Sequence, residues 1–252
     1  MLAFTNTQMT KQELIDRLQT HFDADEIIKG TYWEDGRGCA IGCAIHGAKH
    51  SLFEPMFGIP ESLACLQDRI FEGLPNEEAK KFPLEFTRSI REGADLSKVI
   101  YKFCAWILVD AEHGVIKYSG NPAWGGELAI SNVANICAQL ALGETVDAGE
   151  IEAATRAAAE AARATAEAAG AAAWATRAAW ETAAAARAAT RAAAAAARAA
   201  RAAAEAAWAT AEAAGAAGAA AAAARAAGAE GAEEEAHYTV MRDKLLELLR
   251  EC

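Results

Sequence analysis

Two cysteines and two histidines near the N-terminal end of the chain fall at helical spacing: Cys39, Cys43, His46 and His50. Steps of four, three and four residues would place them along one stripe of an α-helix. Thiolate and imidazole groups bind soft or borderline metals such as zinc, and the same residues could form a nucleophilic Cys–His pair. Four ligands spread over more than two helical turns cannot all reach one ion, so at most two or three would act together with another residue. No motif lowers a thiol pKa or orients a base, so the pattern favours tight packing, and we expect no metal ligand and no catalytic residue.

Aromatic residues and arginines recur together, and this combination has the chemistry to bind a nucleotide. A nucleotide needs a flat apolar surface for its base and forked donors for its phosphates. The candidate ligand-binding residues are Tyr32, Trp33, Arg37, Trp124, Trp174, Arg177, Trp180, Arg187 and Arg201. The alternative for each is structural: a tryptophan would anchor packing, and an arginine would be solvated or paired with glutamate.

Helical patterns dominate the elements that must position these residues. A capping box at Thr10 and Glu13 predicts a helix that begins there. Apolar spacing predicts further helices at 61–72, 99–109 and 128–142. The segment 38–47 also reads as a helix, but its glycines lower helix propensity, so we expect another chain segment to approach its backbone closely.

Alanine and arginine dominate the chain from about residue 150 to 228. Five arginines recur at multiples of seven, and glutamates follow three of them after four residues, on the same helical face. This internal repeat predicts packed helices, with low-complexity disorder as the competing interpretation. The predicted fold class is all-α: a mixed-composition helical domain at 1–149, an alanine-rich helical repeat or bundle at 150–228, and a C-terminal capping helix at 229–252.

Composition and charge restrict the partners and the compartment. The net charge of −11 disfavours binding to duplex nucleic acid, which needs a basic face. The alanine-rich segment is basic through arginine alone and could hold a small anion, although arginine is also simply a good helix former. No signal peptide or sustained apolar span is present, and the six cysteines suit free thiols in a reducing compartment. We therefore expect a cytoplasmic protein that has no membrane partner and forms a homo-oligomer through its alanine faces.

Three short motifs resemble one family of uncharacterised proteins found in phages, prophages and bacteria. They are GRGCAIGC at 36–43, GIPESLA at 58–64 and DRIFEGLP at 68–75. The resemblance covers about residues 29–108 and implies no established reaction. The phage association suggests an accessory protein that counters host defence, by binding an effector protein or by sequestering a nucleotide signal.

The function expected from the sequence is non-enzymatic binding, without a cofactor, of a small anionic, nucleotide-like ligand. One alternative is a protein that blocks a host factor through its acidic surface, or a structural helical protein. A second alternative is a metal-dependent or thiol enzyme that uses the four Cys and His residues. No phosphate loop, dinucleotide fingerprint or paired metalloprotease histidines support an enzyme.

Overall fold

The computed structural model describes residues 2–118, 126–147, 149–154, 156–157 and 231–252. Six of the predicted ligand-binding residues and most of the alanine-rich segment therefore lie outside the described residues; the six are Trp124, Trp174, Arg177, Trp180, Arg187 and Arg201. Contacts divide the chain into two compact units. The first contains Met1–Val99 with Tyr238–Cys252, and the second contains Ile100–His237.

The described residues are 66% helical and 3% strand, which confirms the predicted all-α class. The helices are α1 (Lys11–Asp23), α2 (Ala40–Ile45), α3 (Phe53–Phe57), α4 (Glu61–Gly73), α5 (Asn76–Ser89), α6 (Val99–Val109), α7 (Gly126–Leu142) and the C-terminal helix (Gly231–Arg250). Short 3₁₀ turns span His50–Leu52 and Val115–Tyr118, and two strands, β1 (Trp33–Glu34) and β2 (Arg37–Gly38), form a hairpin. None of the described helices has both the length and the apolarity that crossing a bilayer requires.

Helix α1 begins with a capping box, whereas α4 and α5 each begin directly after a proline. At α1 the predicted capping box forms, because the Thr10 hydroxyl accepts the Glu13 amide and the Glu13 carboxylate accepts the Thr10 amide. Pro60 and Pro75 occupy the positions just before α4 and α5, so each helix begins one residue after a proline. Pro83 lies inside α5, yet α5 stays one helix.

The hairpin and α2 carry several of the aromatic and cysteine residues that the sequence analysis identified in the first unit. Asp35 and Gly36 both have positive φ angles, as expected for the two-residue turn of a tight hairpin. Helix α2 is shorter than the predicted 38–47 segment, because His46 adopts the left-handed conformation and ends it. His50 therefore lies on the following 3₁₀ turn, and the predicted four-residue stripe does not form on one helix.

Glycine in α2 has the role that its low helix propensity predicts. A Cβ atom at Gly42 would overlap the carbonyl oxygen of Tyr32, and one at Gly38 would overlap the same oxygen. The nearest heavy atom to a Cβ at Gly47 would instead be 3.9 Å away. The expected close backbone approach is thus confirmed, and it fixes the main chain at Tyr32 against α2.

The end of the C-terminal helix packs within the first unit. Its buried side chains are Tyr238, Met241, Leu245, Leu246, Leu248 and Leu249, and their spacing places them on one side of the helix. A Cβ atom at Gly73 would overlap the Tyr238 ring, so the glycine at the end of α4 makes room for the tyrosine. Arg242 donates to the Glu78 carboxylate at 2.5 Å, which ties the helix to α5.

The second unit contains buried thiols in an apolar setting. Cys104 on α6 and Cys137 on α7 are both buried. A hydrogen bond with Cys104 and burial raise the pKa of the Cys137 thiol well above its ordinary value. Near the end of α6, the Trp106 indole donates to the Asp110 carboxylate at 3.0 Å. Buried among apolar residues, these two cysteines act as small packing groups.

Candidate metal centre

One thiol and two carboxylates from separate elements of the first unit converge. Cys39 lies at the start of α2, immediately after the hairpin, while Asp68 and Glu72 lie four residues apart on one face of α4. One ligating atom from each of the three residues lies within 4.8 Å of the others. This is close enough for all three to bind a single ion after small side-chain adjustments.

The loop before the hairpin fixes this meeting point. The backbone amide of Gly30 donates to both carboxylate oxygens of Glu72 at 3.1 Å. The amide of Cys39 donates to the carbonyl oxygen of Thr31 at 2.8 Å. The loop thus holds the C-terminal part of α4 at one end and the cysteine backbone at the other, so Cys39 is positioned by main-chain contacts.

The two oxygens of the Asp68 carboxylate have different surroundings. Its Oδ2 accepts the Tyr32 hydroxyl at 3.4 Å and lies 3.2 Å from Nε2 of His50. Its Oδ1 is buried and has no hydrogen-bond partner among the described residues, and the side chain as a whole is only 14% exposed. Burying a carboxylate oxygen without a donor or a cation is unfavourable.

Tyr32 and His50 hold one another beside that carboxylate. Their rings meet edge to face, with centroids 5.5 Å apart and planes at 90°. Because His50 points Nε2 at Asp68 and Tyr32 donates to the same oxygen, both residues restrain the carboxylate rotamer. This is the arrangement expected of outer residues that orient a metal ligand.

The surroundings of the cluster disfavour the negatively charged forms of its acidic side chains. Burial, followed by the charge of Asp68, raises the pKa of the Cys39 thiol to about 12. Burial is likewise the largest cause of raised pKa values at four neighbouring acids, namely Tyr32, Glu61, Cys65 and Glu72. Lys29 and Arg69 act on Glu72 in the opposite direction, but their effect is smaller. A divalent cation would reverse this balance by favouring the charged form of every ligand.

The raised pKa of Cys39 argues against a free nucleophilic thiol. Catalytic cysteines need a lowered pKa and a base within hydrogen-bond reach. Among the described residues, His50 makes its hydrogen bond to Asp68, and no hydrogen bond joins it to a cysteine. Coordination by a metal, in contrast, deprotonates a thiol outright.

The remaining two members of the predicted Cys/His stripe lie elsewhere. Cys43 is fully buried and its thiol donates to the carbonyl oxygen of Gly38 at 3.3 Å. His46 stacks on Trp33 with ring centroids 4.5 Å apart and planes at 15°. Because α2 ends at His46, the stripe is divided, and only Cys39 and His50 lie beside the same carboxylate.

A second aromatic cluster surrounds Trp33. His21 is buried, meets Trp33 edge to face, and places Nε2 3.0 Å from Nε2 of His46. Its other ring nitrogen lies 2.6 Å from the Glu26 carboxylate. Burial, with smaller contributions from the charges of Arg17 and His21, lowers the pKa of His46. One face of the Trp33 ring is therefore already occupied by the His46 imidazole.

The three predicted ligand-binding residues within the described chain have different surroundings. Tyr32 is 46% exposed and its hydroxyl bonds Asp68 at the rim of the carboxylate cluster. Trp33 packs in the histidine cluster, and Arg37 is exposed on β2 opposite Glu34. Of the three, Tyr32 alone contacts the Cys39, Asp68 and Glu72 group.

No family model, curated protein or solved structure matches this chain. The assignment of a function therefore rests on the geometry. Asp68 and Glu72 are absent from the residues predicted from the sequence. Their spacing of four in a helical pattern is the one local signal that could have paired them, but only the folded chain brings that pair to Cys39.

Proposed function

We propose that this protein binds a divalent metal ion of the zinc class through Cys39, Asp68 and Glu72. The observation that carries the proposal is the convergence of one thiol and two carboxylates within 4.8 Å. The buried Oδ1 of Asp68, which has no hydrogen-bond partner within the described part of the chain, also supports it, because a cation would neutralise that carboxylate.

The donor set favours zinc over magnesium or calcium. Magnesium and calcium prefer sites built from oxygen alone, whereas a thiolate selects softer or borderline ions. Three protein ligands leave the fourth position of a tetrahedral ion for water or for an oxygen of a bound molecule. His50 and Tyr32 then serve to orient the Asp68 carboxylate, since both contact its other oxygen.

Cobalt titration tests this assignment, because Co²⁺ replaces zinc and reports a bound thiolate by a charge-transfer band in the near ultraviolet. We expect one equivalent of Co²⁺ to produce the band in the wild-type protein. Cys39→Ser should remove the band. Cys43→Ser, on the same short helix, should retain it, because that thiol donates to a backbone carbonyl instead.

Two results would contradict the metal assignment. One is a wild-type protein that shows no thiolate band at any Co²⁺ concentration below denaturation. The other is a band that survives Cys39→Ser and disappears with Cys43→Ser. Circular dichroism of both variants checks that each retains its helices, so that a loss of binding is not a loss of fold.

The ligand and setting expected from the sequence stay predictions. Sequestration of a nucleotide-like anion depends largely on residues outside the described chain, and so does assembly into a homo-oligomer through alanine faces. The phage and counter-defence hypothesis has no further support. A cytoplasmic setting fits the six free cysteines, since a reducing compartment also keeps a zinc-binding thiol available.

A further inference from the structure

A basic groove lies on the first unit among residues that play no part in the metal centre. Its volume is about 590 Å³, and it is lined by Lys11, Glu85, Arg88, Ser89, Arg91 and Arg250. These residues come from the start of α1, the end of α5, the turn that follows α5 and the end of the C-terminal helix. Four of the six carry positive charge in a protein whose net charge is −11.

Three of the four cations of the basic groove donate to oxygen atoms that do not belong to Asp or Glu side chains. Lys11 donates to the carbonyl oxygen of Arg88 at 3.2 Å, and Arg88 donates to the side-chain oxygen of Gln19 at 3.1 Å. Arg91 donates to the main-chain oxygen of Cys252. Within the described part of the chain, no Asp or Glu carboxylate forms an ion pair with any of the four, including Arg250.

Favourable interaction with a helix dipole accounts for only two of the four positive charges in the groove. Arg88 and Arg250 lie in the last turns of their helices, where a cation interacts favourably with the helix dipole. Lys11 is the first residue of α1, where the dipole disfavours a cation, and Arg91 lies outside any helix. Because Lys11 and Arg91 lie in the same groove as Arg88 and Arg250, the four cations together indicate a role beyond helix capping.

We infer that the basic groove binds a small compound bearing several phosphate groups. Guanidinium groups present paired donors that match phosphate oxygens, and an ammonium adds a compact charge. The volume is within the range of small-molecule sites. None of the described residues that line the groove is aromatic, so recognition is directed to the phosphates rather than to a base. This inference is independent of the metal proposal.

Calorimetric titration with sodium tripolyphosphate tests the inference, using the full chain in metal-free buffer so that metal chelation does not contribute. We expect saturable binding of one tripolyphosphate per chain. Arg88→Gln and Arg250→Gln should each weaken binding about tenfold or more, because each removes charge-assisted hydrogen bonds. Lys81→Gln is the matched control: Lys81 is exposed on α5 but does not line the groove, and this variant should stay within about twofold of wild type.

Three outcomes would overturn the inference. The first is the absence of saturable binding. The second is an equal loss in the Arg88→Gln and Lys81→Gln proteins, which would indicate diffuse attraction rather than a site. The third is binding of a single-stranded oligonucleotide together with no binding of tripolyphosphate, which would assign the groove to a nucleic-acid backbone. Cobalt binding should be unchanged in these variants, so failure of this inference is distinguishable from failure of the metal proposal.

Discussion

Asp68→Asn is expected to weaken zinc binding by more than about a hundredfold, which exceeds the loss usual for an outer residue of a metal site. The amide keeps the shape of the carboxylate, and its oxygen can still accept from Tyr32. The substitution nevertheless removes the negative charge that binding of a divalent ion requires. The same change should leave the metal-free protein as stable or more stable at neutral pH, because the charge of Asp68 disfavours the ionised form of the neighbouring Glu72.

Glu61→Gln provides the matched control for Asp68→Asn. Glu61 is a neighbouring acid whose pKa is raised by burial and whose buried oxygen has no partner among the residues that the structure describes, but it is not one of the three converging residues. Its loss should weaken zinc binding by less than about tenfold, as expected for a charge near a site rather than in it. Competition titration against a chromophoric chelator measures both variants. Equal effects would mean that the cluster attracts cations without coordinating them.

Tyr238→Ala should lower the free energy of unfolding by about 3–5 kcal/mol, the range typical of truncating a buried aromatic residue. The tyrosine is 1% exposed and its ring fills the space left by Gly73 at the end of α4. Removing the ring would leave a cavity where the C-terminal helix meets α4, and a glycine cannot fill it. Urea denaturation followed by circular dichroism measures the loss.

Tyr238→Phe separates the ring from its hydroxyl. This variant keeps the packing and should lose at most about 1 kcal/mol, the most that removing one typical hydrogen bond would cost. If Tyr238→Ala were no more destabilising than Tyr238→Phe, the ring would not anchor the helix, and the buried face of the C-terminal helix would depend on its leucines instead.

The sequence predicted those parts of the fold that depend only on residues close together in the chain. The capping box of α1 requires only two residues three positions apart, and it forms as predicted. The period of buried residues in the C-terminal helix is equally local. Gly42 could be interpreted because a glycine inside an apolar helix needs a compensating contact, and the Tyr32 carbonyl provides it.

The candidate metal centre could not be predicted because it depends on where chain segments end and meet. The predicted stripe assumed that one helix runs through His46, but that residue turns into the left-handed conformation. The meeting of Cys39 with Asp68 depends on the loop that binds Glu72 through the Gly30 amide. Neither the helix end nor this loop contact has a periodic signature in the sequence.

X-ray absorption at the zinc edge tests the central claim most directly, since it counts the atoms around the ion in the protein loaded with one equivalent of zinc. The proposed site predicts one sulfur at about 2.3 Å and oxygen or nitrogen neighbours at about 2.0 Å. The sulfur contribution should disappear in the Cys39→Ser protein. A zinc ion with no sulfur neighbour, or with two or more, would contradict coordination by Cys39, Asp68 and Glu72.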